Sequence, residues 1–202
     1  MVSPYGQSST QLDATYEQLN AALGFKTSPI TGLWFNIYGG YQDLKNNLAS
    51  AAIANYSGSY LQLLQGNMHN IYAGAEASYS YKDIISFTAS GIYRDWKTAK
   101  TENNSGDQLL YYMPSFEANF KVDIRPISSV LINLGYQHIT REKIGNERVD
   151  PVGNLYLGGS YEVFEGISIY VRANNLLNKD YQYYPGYPTE GINFMGGVSF
   201  RF

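Results

Sequence analysis

Residues Gly191 to Phe202 read GINFMGGVSFRF. Ile192, Phe194, Gly196, Val198, Phe200 and Phe202 share one parity; Asn193, Met195, Gly197, Ser199 and Arg201 share the other. A period of two marks a strand whose faces meet different surroundings. A soluble protein ending on such an edge would invite aggregation. A membrane barrel ends this way without penalty, because its closing strand pairs with the first and turns its apolar side to lipid.

The same parity recurs upstream. Leu19, Ala21, Leu23 and Phe25 alternate with Asn20, Ala22, Gly24 and Lys26, and Leu33, Phe35, Ile37, Gly39 and Tyr41 with Trp34, Asn36, Tyr38 and Gln42. Ile71 to Tyr93 reads as a hairpin turned at Lys82-Asp83. Phe116, Ala118, Phe120, Val122 and Ile124 alternate with Glu117, Asn119, Lys121 and Asp123, and a further hairpin runs from Asn154 to Asn178 through Glu165-Gly166. This predicts about nine to ten antiparallel strands in one domain over 1–202. Residues 1–15 read as a flexible arm, 43–58 as a long loop, 179–190 as an external loop and 191–202 as the closing strand. A further strand near Ser57 to Leu64 would raise the count to ten. An odd count points to part of a larger barrel, since bacterial single-chain barrels have even strand numbers.

Two regularities favour a transmembrane barrel over a soluble sandwich or calyx. Connections alternate between short (28–32, 82–83, 125–128, 165–166) and long (43–58, 98–108, 141–151, 179–190), as in barrels with tight periplasmic turns and longer outer loops. The charges Glu76, Arg94, Glu117, Lys121, Asp123, Glu162, Arg172 and Arg201 all avoid the apolar parity. A Lys or Arg facing lipid at mid-bilayer costs about 2–4 kcal/mol, so lipid would impose this segregation.

Composition agrees. Charged residues make up 15% of the chain, against about 25% in soluble domains. Tyr, which suits membrane interfaces, occurs 20 times. No apolar run approaches the ~18 residues of a spanning helix. The net charge of −3 lacks the basic footprint of a nucleic-acid partner. There is no cysteine, which excludes disulfide and thiolate chemistry. The opening MVSPYGQSST has no basic and apolar signal-peptide regions; either a signal has been removed or Met1 is not the natural start.

No motif for catalysis, a cofactor or a resident metal is found. The only histidines, His69 and His138, read as wall or loop residues. TENNSGD at 101–107 lacks the carboxylates of a calcium loop. Arg94, Glu117, Lys121, Glu162, Arg172 and Arg201 are lumen-facing candidates, expected to pair along the wall or to contact a plug. Tyr181, Tyr183, Tyr184 and Tyr187 form an external aromatic loop, read as an interfacial girdle or as a ligand grip.

The segment Val171 to Phe202 resembles the C-terminal end of TonB-dependent outer-membrane receptors. The resemblance rests on Asn174-Asn175-Leu176-Leu177-Asn178-Lys179-Asp180-Tyr181, the Tyr/Pro/Gly loop and a last strand with Gly196-Gly197 and a terminal Phe202. It implies a Gram-negative outer-membrane location with lipid around the wall. It also implies that Phe202 is an assembly signal for the barrel assembly machinery. Partners would be the rest of the barrel, a plug, TonB through that plug, and a nutrient ligand. Such receptors have about 22 strands and a plug, neither of which is visible here. A small self-contained barrel acting as anchor or passive pore, or a barrel enzyme, are the alternatives.

Overall fold

The computed structural model describes residues 12–55, 58–98, 110, 113–142, 150–184 and 187–201, without the side chains of 49–64 and of Tyr184. Among the described residues eleven strands form. They are β1 (Tyr16–Ile30), β2 (Leu33–Asn55), β3 (Gly58–Tyr81), β4 (Ile85–Thr98), β5 (Pro114–Ile124), β6 (Val130–Arg141), β7 (Val152–Phe164), β8 (Ile167–Asn174), β9 (Gln182–Tyr184), β10 (Tyr187–Pro188) and β11 (Asn193–Phe200). Nine make one antiparallel sheet, ordered β1-β2-β3-β4-β5-β6-β7-β8-β11, while β9 and β10 form a separate small hairpin. β1 and β11 lie at opposite edges and do not pair with each other, so the nine strands do not close on themselves.

The tight turns sit at one end of the sheet and follow from local chemistry. Lys82 and Asp83 both adopt positive φ, 47° and 55°, the geometry of the hairpin turn whose twist matches the flanking strands. At Glu165-Gly166 the glycine has φ 79°. A Cβ there would stand 2.6 Å from the Arg201 carbonyl oxygen, so both conformation and close approach require Gly.

The register carries each face across the strands. One row runs Leu33, Tyr79, Phe87, Val122, Leu134, Leu157, Ala173, Phe194, crossing eight strands without a charged side chain. Its members drift from the turn end of β2 to the far end of β11, as a sheet of tilted strands requires. A neighbouring row on the opposite face runs Trp34, Ser78, Thr88, Lys121, Gly135, Tyr156. The large apolar side chains are exposed: Leu23 at 84%, Phe120 at 53%, Phe194 at 79%. Among the described residues, the buried hydrophobics are Met68, Trp96, Ala118, Val152 and Tyr181. So little interior cannot offset chain entropy in water; the apolar face needs hydrocarbon.

The segment expected as a loop at 43–58 is instead strand. β2 continues to Asn55 and β3 starts at Gly58, paired from Asn47↔Gly66 to Asn55↔Gly58. Ser57 to Leu64 is therefore no separate strand: Ser57 lies outside the described residues and 58–64 extend β3. A spanning strand needs about 9–11 residues, whereas β2 and β3 have 23 and 24, so a β-ribbon projects beyond the membrane. Alternation fails along it because water wets both sides. The crossover is marked by a register shift between Leu44 and Asn47, with Asn46 at φ 56°. On the apolar side, charge begins there: Asp43 pairs with Lys45 at 3.0 Å and Asp95 with Lys97 at 2.9 Å. Below that rim, Leu33 to Tyr41 on β2 supply a nine-residue belt, matching the span.

Candidate functional site

The polar face has a repeated construction. Tyr38 lies opposite Gly74, Tyr72 opposite Gly40, Tyr156 opposite Gly135 and Tyr170 opposite Gly197. Each ring covers its glycine: a Cβ would meet Tyr38 at 2.4 Å, Tyr72 at 2.6 Å, Tyr156 at 2.2 Å and Tyr170 at 2.6 Å. Glycine alone would weaken a strand; the partner ring restores packing across the ladder. The polar face thus carries tyrosine rings laid flat over glycines between its charged side chains.

The six charged candidates sit on this face in separate arrangements. Arg94 pairs with Glu117 through its guanidinium. Lys121 pairs with Asp123 at 2.8 Å. Arg172 stacks on the Tyr156 ring at 4.4 Å and donates from Nε to Asn174 at 2.8 Å. Glu162 accepts from the Gly166 N–H at 3.2 Å. Glu162 and Arg201 share a bay of about 630 Å³ at the tight-turn end with Asp83, Arg125 and several serines. The structure does not gather the six into one site.

At the opposite end, two outer segments fold over the polar face. Leu110 and Met113, with Leu44, pack on Met68 and Trp96, and the Trp96 Nε1–H donates to the Pro114 carbonyl at 2.9 Å. The aromatic loop does the same on the other side. Tyr181 is buried and edge-on to Tyr183 at 5.5 Å. The Tyr183 hydroxyl donates to Gln137 at 2.8 Å, and Arg141 Nη2 donates to the Tyr183 carbonyl at 2.6 Å. Gln137 belongs to the polar row Asn119, Gln137, Asn154. Tyr181 and Tyr183 are therefore turned inward, away from the girdle position on the lipid side. Tyr187 is exposed, and burial pushes the Tyr181 hydroxyl up to about 12. The side chain of Tyr184, and Phe202, lie outside the described residues.

The Asn174–Asn178 stretch ties this loop down. Asn175 is fully buried at φ 51°. Its amide donates to the carbonyls of Lys179 (2.9 Å) and Glu190 (3.1 Å), and its Oδ1 accepts from the Lys179 N–H at 3.1 Å. Its own N–H donates to Asn154 Oδ1 at 2.9 Å. Asn178, also at positive φ, accepts from the Ile192 N–H at 3.3 Å. One side chain thus holds both ends of the loop between β8 and β11, because an amide offers donor and acceptor together. Gln137, Arg141 and Asn154 are the partners that sequence reasoning did not single out. Their signal, a polar position at the outer end of a strand, is shared by many other residues.

His69 lies beside Tyr41 (5.8 Å between rings) and His138 beside Tyr136 and Phe116, on strands three apart. Among the described residues no cluster of three metal-ligating side chains occurs.

No family model and no curated protein matches the sequence. Solved structures do. The copper transporter OprC shares 18% identity, covering 91% of this chain and 31% of that one, with a TM-score of 0.67. A variant of the ferric enterobactin receptor PfeA of Pseudomonas aeruginosa gives 16%, 95%, 32% and 0.67. The FrpB iron transporter of Neisseria meningitidis gives 16%, 91%, 31% and 0.67. All three are TonB-dependent receptors. The fold is that of an outer-membrane β-barrel. The chain spans about a third of the length of these structures. In an outer-membrane barrel the uncharged exposed rows form the membrane side, and the tyrosines, paired charges and inward-folded loop lie on the other.

Proposed function

We propose that the chain is the C-terminal part of the wall of a TonB-dependent receptor that takes up a scarce nutrient across the outer membrane. The observation that carries this reading is the combination of an uncharged exposed belt with a polar face roofed at its outer end by Tyr181, Tyr183 and Met113. Such a face suits a ligand pathway more than a passive wall. The neighbours' ligands, copper and iron or a ferric siderophore, make chelated metal the first class to try. No chemistry occurs on the ligand. The plug, the remaining strands and TonB would supply the coupling, and Arg94, Glu117, Lys121, Glu162, Arg172 and Arg201 would line the lumen. Phe202 would serve the barrel assembly machinery.

The test is uptake of radiolabelled copper and of ferric enterobactin by cells carrying or lacking the full gene, with TonB intact or deleted. Gene- and TonB-dependent accumulation of either is expected. Accumulation that needs the gene but not TonB would replace the reading with a passive pore.

A further inference from the structure

The membrane side of the sheet is hollowed between β6 and β11. Gly159 and Ala173 sit low among Ile132, Leu157, Val171 and Phe194, in a groove of about 480 Å³. Register places them so: Leu157 and Phe194 flank Ala173, while Ile132 and Val171 flank Gly159. Val171 and Phe194 are 67% and 79% exposed and stand as ridges. An unfilled apolar hollow forfeits dispersion contacts along its lining, so hydrocarbon is its natural occupant.

Further out along β7, on the same side, lies a polar cluster. A Cβ on Gly153 would meet the Tyr136 hydroxyl at 3.3 Å and Lys179 Cδ at 3.9 Å. The stem of Lys179 therefore crosses onto the membrane side there. Gly153 faces His138 across the ladder, and the Tyr136 hydroxyl lies 3.5 Å from His138 Nδ1. The rim lysines of β2 and β4, Lys45 and Lys97, are neutralised by Asp43 and Asp95. Lys179 is exposed and forms no ion pair among the described residues, neither with its neighbour Asp180 nor with Glu190. An ammonium, a phenolic hydroxyl and an imidazole meet at one point, a set that phosphate oxygens match as acceptors.

Depth links cluster and groove. Val130 to His138 on β6 repeats the nine-residue belt of β2, so His138 marks the outer limit of hydrocarbon. From Gly153 to Gly159 is six residues, about 20 Å along a strand. With a tilt of about 40° this is about 15 Å of depth, the half-thickness of the hydrocarbon core. A lipid of the outer leaflet spans that distance. We propose that β6, β7, β8 and β11 hold one phosphorylated outer-leaflet lipid, its phosphate at Lys179, Tyr136 and His138 and an acyl chain in the groove beneath. The proposal needs the chain to be an outer-membrane barrel and is independent of the transport reading.

The test is native mass spectrometry of the full-length protein, extracted in detergent and titrated with lipid A, dephosphorylated lipid A or inorganic phosphate. One lipid A is expected to bind, and Lys179→Gln to weaken it roughly fivefold, the worth of one basic residue at a membrane surface. Gly159→Leu, whose Cβ has room 3.6 Å from the Leu131 carbonyl oxygen, fills the groove and should weaken lipid A binding without unfolding the barrel. Lys97→Gln, which removes a lysine already paired, should leave it unchanged. Equal binding of dephosphorylated lipid A, displacement by inorganic phosphate alone, or wild-type binding by both Lys179→Gln and Gly159→Leu would each overturn the proposal.

Discussion

Gly135→Ala is the sharpest probe of how the polar face is held. The new Cβ would lie 2.2 Å from Tyr156 Cζ and 2.3 Å from its hydroxyl oxygen, where carbon contacts settle at about 3.5–4.0 Å. The ring must retreat by more than 1 Å, leaving the strand it covers and the Arg172 guanidinium, now 4.4 Å from its centroid. Overpacking of this kind costs about 1–3 kcal/mol and a weakened cation–π contact about 0.5–1 kcal/mol. Replacing Gly in a strand returns about 0.5–1 kcal/mol. The expected net loss is about 1–3 kcal/mol. In a Tyr156→Ala background the obstacle is gone, so the same substitution should stabilise by about 0.5–1 kcal/mol. The assay is a double-mutant cycle by urea unfolding of the barrel in phospholipid vesicles, followed by tryptophan fluorescence. Equal effects of Gly135→Ala in both backgrounds would show that ring and glycine are not coupled and would refute the reasoning.

Three further outcomes follow from the two faces and the loop. Phe120→Arg, on the exposed apolar row, should cost about 2–4 kcal/mol, while Asn119→Arg, one residue away on the polar face, should stay within about 0.5 kcal/mol; equal costs in the same urea assay would contradict the assignment of faces. Asn175→Ala leaves three backbone groups without their partner and keeps a positive φ, so it should cost about 2–4 kcal/mol locally, read as faster hydrogen exchange over 175–193 with β4 to β6 unchanged. Tyr181 ionises at about 12 in the folded loop against about 10 unfolded. Its packing therefore contributes fully below pH 10 and is lost as pH rises through 12. Phenolate absorbance should show a step near pH 12 that Tyr181→Phe removes; a titration near pH 12 unchanged in that variant would count against the burial argument.

Much of the wall was legible in residue order. Phe116 to Ile124 and Phe194 to Phe200 alternate because successive strand side chains point to opposite sides, and lipid admits no charge on one of them. Lys82-Asp83 and Glu165-Gly166 were legible as turns for an equally local reason. The ribbon at 43–58 was not, because beyond Asp43 both sides meet water and alternation carries no information there. Tyr183 was also beyond reach: whether a loop tyrosine turns to lipid or inward depends on Gln137 and Arg141, more than 40 residues away in the chain.

The sequence by itself determined that these strands alternate, where they turn and which side is free of charge, since a period of two and a φ preference are properties of neighbouring residues. Only the tertiary structure decided which glycine each tyrosine covers, that Asn175 closes the loop, and that the edges of β1 and β11 stay apart. Those outcomes depend on strand register and on the sheet as a whole rather than on any one strand: barrel diameter grows with strand number, and whether β1 and β11 meet is set by how all nine strands pair and bend, not by the residues of either edge.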